Sequence, residues 1–587
     1  MVHPPTPDSD SNPAPTPLEA ARAWISRCET PLPGAAAGPL RGIRFAVKDN
    51  IDAAGLPTTA ACAAFARTPS AHATVVRKLL DAGASLAGKT NLDQFACGLN
   101  GTRSPWGAVP NAFDPAYVSG GSSSGSAYVV ATGQVDFALG TDTAGSGRVP
   151  AGLNNIVGLK PSKGLISARG VVPAAQSVDC VSIFARSVGL AAQVLDAARG
   201  HDAEDPYSRA LTLADRPFPN TFRFGVPDVL TFFGDTLAEA EFDRARARLR
   251  ELGGVEVRFA YQPFAEAAAL LYESALVAER YAAIRDFFDT HEADVMEPVR
   301  GIIAQGRSYD AADLCIAQTR LRALGQQAAA QWREAGGQGM DVMLVPTAPT
   351  HYTIAQMQAD PVVLNRNLGA YTNFVNLLDY AALSVPSSIR PDGLPFGITL
   401  IGPCGSDWQL AELGQRYHHA TGLTQGATGE PLPAPTPIPG IQTQTAASMV
   451  RVAVVGAHLS GMPLNVQLTE RGARLLSQTT TAPCYRLYAL PGTVPPKPGL
   501  QRVADGQGAR IAVEVWEMPI EHYGSFVALV PAPLGIGTLT LDGGASVQGF
   551  LCEGLALEGA LDITAHGGWR AYLAAQAVPT ASRDTQA

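Results

Sequence analysis

Paired cysteines, long apolar runs and an excess of positive charge are all missing from this 587-residue sequence, and each absence excludes something. The eight cysteines stand singly, at positions 28, 62, 97, 180, 315, 404, 484 and 552, with no C-x-x-C spacing among them. That pattern fits reduced thiols in a cytoplasm better than a disulfide framework or a zinc site, and nothing else argues for a metal or a cofactor. No run of about 18 uncharged apolar residues reads as a membrane span. The net charge of −9 leaves no basic footprint for nucleic acid. The opening M-V-H-P-P-T-P-D-S-D-S-N-P-A-P-T-P lacks the charged and apolar regions of a signal peptide. The G-K-T at 88–90 lacks the upstream glycine of a phosphate-binding loop.

What the sequence does have is glycine clustered with serine, in residues 119–148: S-G-G-S-S-S-G-S-A-Y-V-V-A-T-G-Q-V-D-F-A-L-G-T-D-T-A-G-S-G-R. Ser122 follows two glycines and Ser146 sits between two more. Glycine admits dihedrals that other residues resist, so chain and ligand can approach closely. Successive N–H groups in such turns converge into an anion-binding nest. A serine inside a nest suits an acyl-transfer nucleophile, because the oxyanion forms beside those donors. Gly/Ser runs also serve as linkers. This one is short, and the apolar residues around it, Ala127 to Ala131 and Val135 to Leu139, read as strands entering a core. Upstream, G-I-R-F-A-V-K-D-N-I alternates as a strand, with Ile43, Phe45 and Val47 on one face and Arg44, Ala46 and Lys48 on the other. Lys48 then stands at a strand end, where α/β proteins place reactive groups; the alternative is an exposed surface lysine.

Residues 18–28, Thr74 to Ala82, Ala191 to Arg199, Thr236 to Leu252 and the long segment 264–288 read as helices. Ala84 to Ala87, Val157 to Lys160, Phe222 to Val226, 341–347 and 397–403 read as strands. Their alternation predicts an α/β sheet covered by helices. Residues 424–448 include E-P-L-P-A-P-T-P-I-P-G, a spacer tending to extended polyproline conformation. Beyond it come short β runs with Gly and Pro turns. The domain reading is a disordered tail 1–17, a first domain 18–423, a linker 424–448, a smaller β-rich α+β domain 449–577 and a polar tail 578–587.

Three motifs then stand in order: Val47-Lys48-Asp49-Asn50, G-G-S-S-S-G-S from Gly120 to Ser126, and G-T-D-T-A-G-S-G-R from Gly140 to Arg148. With them the chain resembles the amidase signature family over roughly residues 20–425. The resemblance implies a large twisted mixed β-sheet covered by helices, and hydrolysis of a linear amide without a cofactor. A glycine follows Ser146 where most members carry a bulkier residue. That form, T-N-L-D-Q-F-A-C-G-L-N-G-T-R-S-P-W-G at 90–107, Y-E-S-A-L-V-A-E-R-Y at 272–281 and the appended V-V-G-A-H-L-S-G-M-P-L-N are similar to the branch acting on allophanate (urea-1-carboxylate). Cys97 and Trp106 depart from the pattern, which leads one to expect a small residue and a tyrosine; neither is a catalytic position.

By this resemblance Ser146 is the nucleophile, Ser122 a proton relay on a cis peptide and Lys48 the base, with the N–H groups of Thr143, Ala144, Gly145 and Ser146 as the oxyanion hole. A lysine acts as a base only when neutral, so its pKa must fall from about 10.4 through burial or a nearby positive charge. Allophanate carries a carboxylate beside its amide, and the resemblance nominates Arg280, Tyr272 and the backbone at Gly98 to bind it; arginine's planar fork suits a carboxylate. On one continuous helix, positions 272 and 280 lie about 12 Å apart; the alternative is that both decorate its surface. The second domain resembles the γ-glutamyl cyclotransferase-like fold. It is implied to decarboxylate N-carboxycarbamate, the first site's product, giving ammonia and carbon dioxide overall. His458 there is either catalytic or a hydrogen-bonded structural histidine, and Asn465 and Gln467 would help bind the dianion. The resemblance also implies a homodimer functionally coupled to a urea carboxylase. Two other readings stay open: a glutaminase-like subunit of a tRNA amidotransferase, which the extra domain, acidic balance and Tyr272/Arg280 pair argue against, and a non-catalytic scaffold, which the intact triad positions argue against.

Overall fold

The computed structural model describes residues 22–442 and 449–577. The chain divides into two compact units, one ending at Gln442 and the other beginning at Thr443. The tails 1–17 and 578–587, and residues 443–448 of the spacer, lie outside the described residues.

The first unit carries an 11-stranded sheet. Its strands are β1 (Trp24–Leu32), β2 (Arg44–Lys48), β3 (Ser85–Thr90), β4 (Phe137–Asp142), β5 (Val157–Lys160), β6 (Cys180–Ala185), β7 (Phe222–Pro227), β8 (Gly254–Phe259), β9 (Val342–Pro346), β10 (Tyr380–Ile389) and β11 (Pro395–Pro403). They lie in the order β1-β3-β2-β4-β6-β5-β10-β11-β9-β7-β8. The sheet is mixed: β2 is parallel to β3 and β4, while β4 runs antiparallel to β6. Alternation in β2 decides what faces where. Phe45 and Val47 enter the main core, with Phe45 stacked on Phe137 at 5.1 Å between centroids. Ala46 faces the other layer, in a cluster with Ala127, Val130 and Ala138, and Lys48 follows it on that side.

Three stretches differ from the sequence reading. Ser124–Ala131, whose apolar half reads as a strand, is a helix with all of its residues buried. A helix buried on every side has no amphipathic period, so a short apolar run in it cannot be told from a buried strand. It sits close against β3 and β4: Ser126 Oγ lies 2.7 Å from Thr90 Oγ1 and donates to Leu139 O at 3.0 Å. Gly125 permits the approach, since a Cβ there would lie 2.2 Å from Ala23 O. The segment read as a helix at 18–28 is, where described, the edge strand β1, paired antiparallel with β3; tertiary pairing overrides local propensity. The long helix at 264–288 is broken into Gln262–Glu273, a 3₁₀ turn Ala275–Val277 and Ala278–His291. Ser274 is extended at the break (φ −141°, ψ 178°), where its Oγ donates to Leu270 O and accepts Leu276 N–H.

The described part of the proline-rich stretch runs along the first unit. Gln415 Nε2 donates to Thr436 O at 2.7 Å, Ile438 joins the main core and Gln442 N–H donates to Asp215 O at 2.8 Å. The second unit has a five-stranded sheet and a three-stranded one. Its strands are β12 (Met449–Val454), β13 (Arg474–Thr480), β14 (Tyr485–Ala489), β15 (Pro498–Arg502), β16 (Ala512–Pro519), β17 (Leu534–Thr540), β18 (Ser546–Cys552) and β19 (Leu561–Asp562), ordered β13-β16-β12-β18-β17 and β15-β14-β19. Tyr485, Trp516, Phe526 and Phe550 anchor a separate core. Among the described residues no helix is long and apolar enough to cross a membrane.

Candidate active site

Lys48 ends β2 with no exposed surface, and its Nζ donates to Ser122 Oγ at 2.7 Å and to Thr141 Oγ1 at 2.8 Å. Burial pulls its pKa down to about 7, against the opposing charges of Asp93, Asp179 and Asp142. Asp49, next in sequence, faces elsewhere: its carboxylate accepts the N–H and hydroxyl of Thr59 and lies 3.7 Å from Lys89 Nζ.

Ser122 is fully buried and follows a cis Gly121–Ser122 peptide. A Cβ on Gly121 would lie 2.2 Å from Asp93 Oδ2, so only glycine fits. Asp93 braces this corner from below. It accepts the N–H groups of Asn100, Gly101 and Arg103, and its own N–H donates to Ser122 O at 3.0 Å.

Ser146 lies in the loop after β4, where Asp142 knits the turn together. Its carboxylate takes Arg148 Nε and Nη2, both at 2.9 Å, and the N–H groups of Gly145 and Gly147 at 2.9 and 3.0 Å. Burial alone would raise the Asp142 carboxyl; the Arg148 guanidinium reverses this and holds it below its usual value. Gly145, at φ +129°, passes so close to Thr372 that a Cβ would lie 2.3 Å from its Oγ1. The Gly145 N–H, expected among the oxyanion donors, is therefore occupied by Asp142. The N–H groups of Thr143, Ala144 and Ser146 have no protein acceptor among the described residues. Ser146 Oγ donates to Gly98 O at 3.3 Å, and no hydrogen bond joins it to Ser122.

Tyr272 and Arg280 meet across the helix break rather than along one helix. Arg280 Nη2 donates to Tyr272 Oη at 3.2 Å, and its Cζ sits 5.1 Å from that ring's centroid. Arg280 is 4% exposed, yet its Nε and Nη1 have no hydrogen-bond partner among the described residues. Two N–H-bearing atoms of a buried guanidinium without a partner are unsatisfied donors, and an anion is the acceptor that suits them. Tyr272 also lines a cavity of about 680 Å³ together with Tyr261, Gly369, Tyr371 and Asn373. Thr372, between the last two, donates to Ala144 O at 2.7 Å, so the cavity wall abuts the Ser146 loop.

In the second unit His458, Asn465 and Gln467 come together, but largely with one another. His458 Nε2 lies 2.9 Å from Gln467 Oε1, and Asn465 Nδ2 donates to His458 O at 2.9 Å. The ring stacks on Phe550 at 5.1 Å. Burial lowers the His458 pKa, the Gln467 bond opposes this and Lys497 adds to it. His458, Lys497 and Phe550 line a small cavity of about 40 Å³. Among the described residues no group of His, Cys, Asp and Glu is disposed to hold a metal ion.

Sequence reasoning missed Thr141, Asp93, Asp142 and Asp179. Thr141 and Asp142 stand inside the G-T-D motif, and Asp93 inside T-N-L-D-Q-F, but their partners come from distant segments. Asp179 accepts Thr143 Oγ1 at 2.6 Å and the N–H groups of Ala174 and Ala175.

A family model described as amidase matches residues 14–411, and one described as allophanate hydrolase C-terminal domain matches residues 450–574. Urea amidolyase of Lachancea kluyveri is 44% identical over 551 residues, covering 91% of this chain; the chain spans only 30% of that relative's length. The structure is similar to that of Kluyveromyces lactis allophanate hydrolase, with a TM-score of 0.72 and 42% identity over 96% of this chain and 95% of the other. A glutamyl-tRNA(Gln) amidotransferase component of Symbiobacterium thermophilum is 35% identical over 415 residues, 65% of this chain and 84% of that protein.

Proposed function

The chain belongs to the amidase family and carries an allophanate hydrolase C-terminal domain, and on that premise we propose that it hydrolyses the terminal amide of allophanate. The observation that carries the reading is the buried 2.7 Å contact of Lys48 with Ser122. A lysine poised near neutrality is able to take a proton from that hydroxyl. Ser146 Oγ turns from Gly98 and attacks the amide carbon while its proton passes to Ser122 and Ser122's own proton passes to Lys48. The oxyanion accepts the N–H groups of Thr143, Ala144 and Ser146, and one such donor typically contributes about 2.7–4 kcal/mol. Collapse breaks the C–N bond, and ammonia leaves with the proton returned from Lys48 through Ser122. Water then frees Ser146 and releases N-carboxycarbamate. The unpartnered Nε and Nη1 of Arg280 support recognition of the substrate carboxylate, with Tyr272 and Gly98 beside it.

In this reading the second unit decarboxylates N-carboxycarbamate around His458, completing conversion to ammonia and carbon dioxide. Asn465 and Gln467 hold His458, and Lys497 supplies the positive charge. The reading also includes a cytoplasmic homodimer, its eight thiols free, coupled functionally to a urea carboxylase. The test is ammonia release by the purified chain from allophanate, malonamate, glutamine and acetamide. Allophanate should be turned over fastest and acetamide slowest. Glutamine turned over as fast as allophanate would remove the substrate assignment.

A further inference from the structure

The substrate proposed above is short and has two ends, an amide and a carboxylate, so the oxyanion donors and the Arg280 guanidinium must stand at a fixed separation. These two groups belong to distant parts of the chain. Thr143, Ala144 and Ser146 follow β4, and Arg280 lies in helix Ala278–His291. One short segment, residues 174–179, is bonded to both. At one end Asp179 accepts the Thr143 hydroxyl at 2.6 Å, with Ala174 and Ala175 N–H at 2.8 and 3.2 Å closing the loop on the same carboxylate. Near its middle Ser177 donates to Glu279 twice, N–H to Oε2 at 2.9 Å and Oγ to Oε1 at 2.6 Å. Glu279 immediately precedes Arg280. It has no cationic partner within ion-pair distance among the described residues, so its carboxylate serves this loop. Both anchors are charge-assisted bonds to carboxylates, the short and strong kind.

We propose that residues 174–179 act as a spacer that sets the distance between the oxyanion donors and Arg280, with Glu279 and Asp179 as positioning residues that make the site selective for a carboxylate close to the scissile amide. This rests on the allophanate reading of the same site. The two anchors have separable consequences. Loosening Ser177–Glu279 frees the Arg280 helix and leaves the nucleophile and its donors in place. Loosening Asp179–Thr143 disturbs an oxyanion donor directly and affects every substrate.

The experiment compares two rates in Glu279→Gln, Ser177→Ala, Asp179→Asn and the full wild-type chain. One is kcat/KM for allophanate. The other is inactivation by a neutral fluorophosphonate, which reads Ser146 and its oxyanion donors without a carboxylate. Glu279→Gln should lower kcat/KM for allophanate by roughly tenfold to a hundredfold, the scale expected for a misplaced substrate, while fluorophosphonate inactivation changes by less than about twofold. Ser177→Ala should move the same way by less, since one of the two bonds survives, and it stands in should Glu279→Gln fail to fold. Asp179→Asn should lower both rates. The proposal is overturned if folded Glu279→Gln or Ser177→Ala keeps wild-type turnover of allophanate, or loses both rates equally. Ser146→Ala separates the two levels of inference: if it still turns over allophanate, the reading of the site fails; if it is inactive while Glu279→Gln is unaffected, only the spacer fails.

Discussion

Lys48 serves as a base only while neutral, and burial against three opposing carboxylates leaves its pKa at about 7. Its neutral fraction therefore grows as pH rises through that value. The rate of allophanate hydrolysis should climb with a midpoint near pH 7 and level off above it, while Lys48→Arg, charged throughout, should be inactive; a pH–rate profile flat from about pH 6 to 8 would contradict this. Stability carries the same signature. Between about 7 and 10.5 the unfolded chain holds a proton that folded Lys48 has shed, so unfolding free energy rises with pH there. Lys48→Met should thus be more stable than wild type at about pH 7, with the gap closing toward about pH 10 in denaturant titrations. Arg280→Lys keeps a charge but loses the planar fork. It should weaken turnover of allophanate more than of a neutral amide, and equal losses would take Arg280 out of the carboxylate site. Lys48, Ser122, Ser146 and Arg280 could be nominated from sequence because each stands in a short motif. Thr141 and Asp179 could not, since a threonine becomes a lysine's partner only when β2 and β4 lie side by side.

Helix Ser124–Ala131 holds the serine-rich turn against the sheet, and its closest approach is at Gly125. An added methyl would lie 2.2 Å from Ala23 O and 2.7 Å from Asn91 N, both backbone atoms unable to swing aside. Gly125→Ala should therefore destabilise the chain by about 1–3 kcal/mol or more, lower its melting temperature and reduce turnover by displacing Ser122. A melting temperature equal to wild type would show that the helix has room to shift. Strands β6 and β10, which flank β5 in the sheet, were missed, but β2 was legible in sequence by its alternation, and β5, β7, β9 and β11 as short runs ended by Lys or Pro. This helix was not, because it is buried all round and shows no stripe. The break at Ser274 was hidden for the opposite reason: residues 264–288 keep helical composition, and only Ser274 turning its hydroxyl onto Leu270 O reveals the corner. That corner is what allows Tyr272 and Arg280 to touch.

At the scale of the molecule, the two units have separate cores and each proposed step falls within one of them. The proline-rich stretch marked the change of patterning in sequence, but composition could not show that residues up to Gln442 pack on the first unit. A chain ending at Gln442 should fold and release the first ammonia from allophanate, whereas one ending at Ala427 loses buried Ile438 and should melt lower. If the second unit decarboxylates, the chain ending at Gln442 should accumulate N-carboxycarbamate in carbon NMR of labelled allophanate, and His458→Ala in the full chain should do the same. Equal carbon dioxide release from shortened and full chains would leave His458 a structural residue stacked on Phe550. The claim beneath all of these is that Ser146 attacks allophanate. It is tested most directly by steady-state ammonia release from allophanate by Ser146→Ala beside wild type: the account predicts turnover by wild type and none by the variant, and turnover by a folded, contamination-free Ser146→Ala would contradict it.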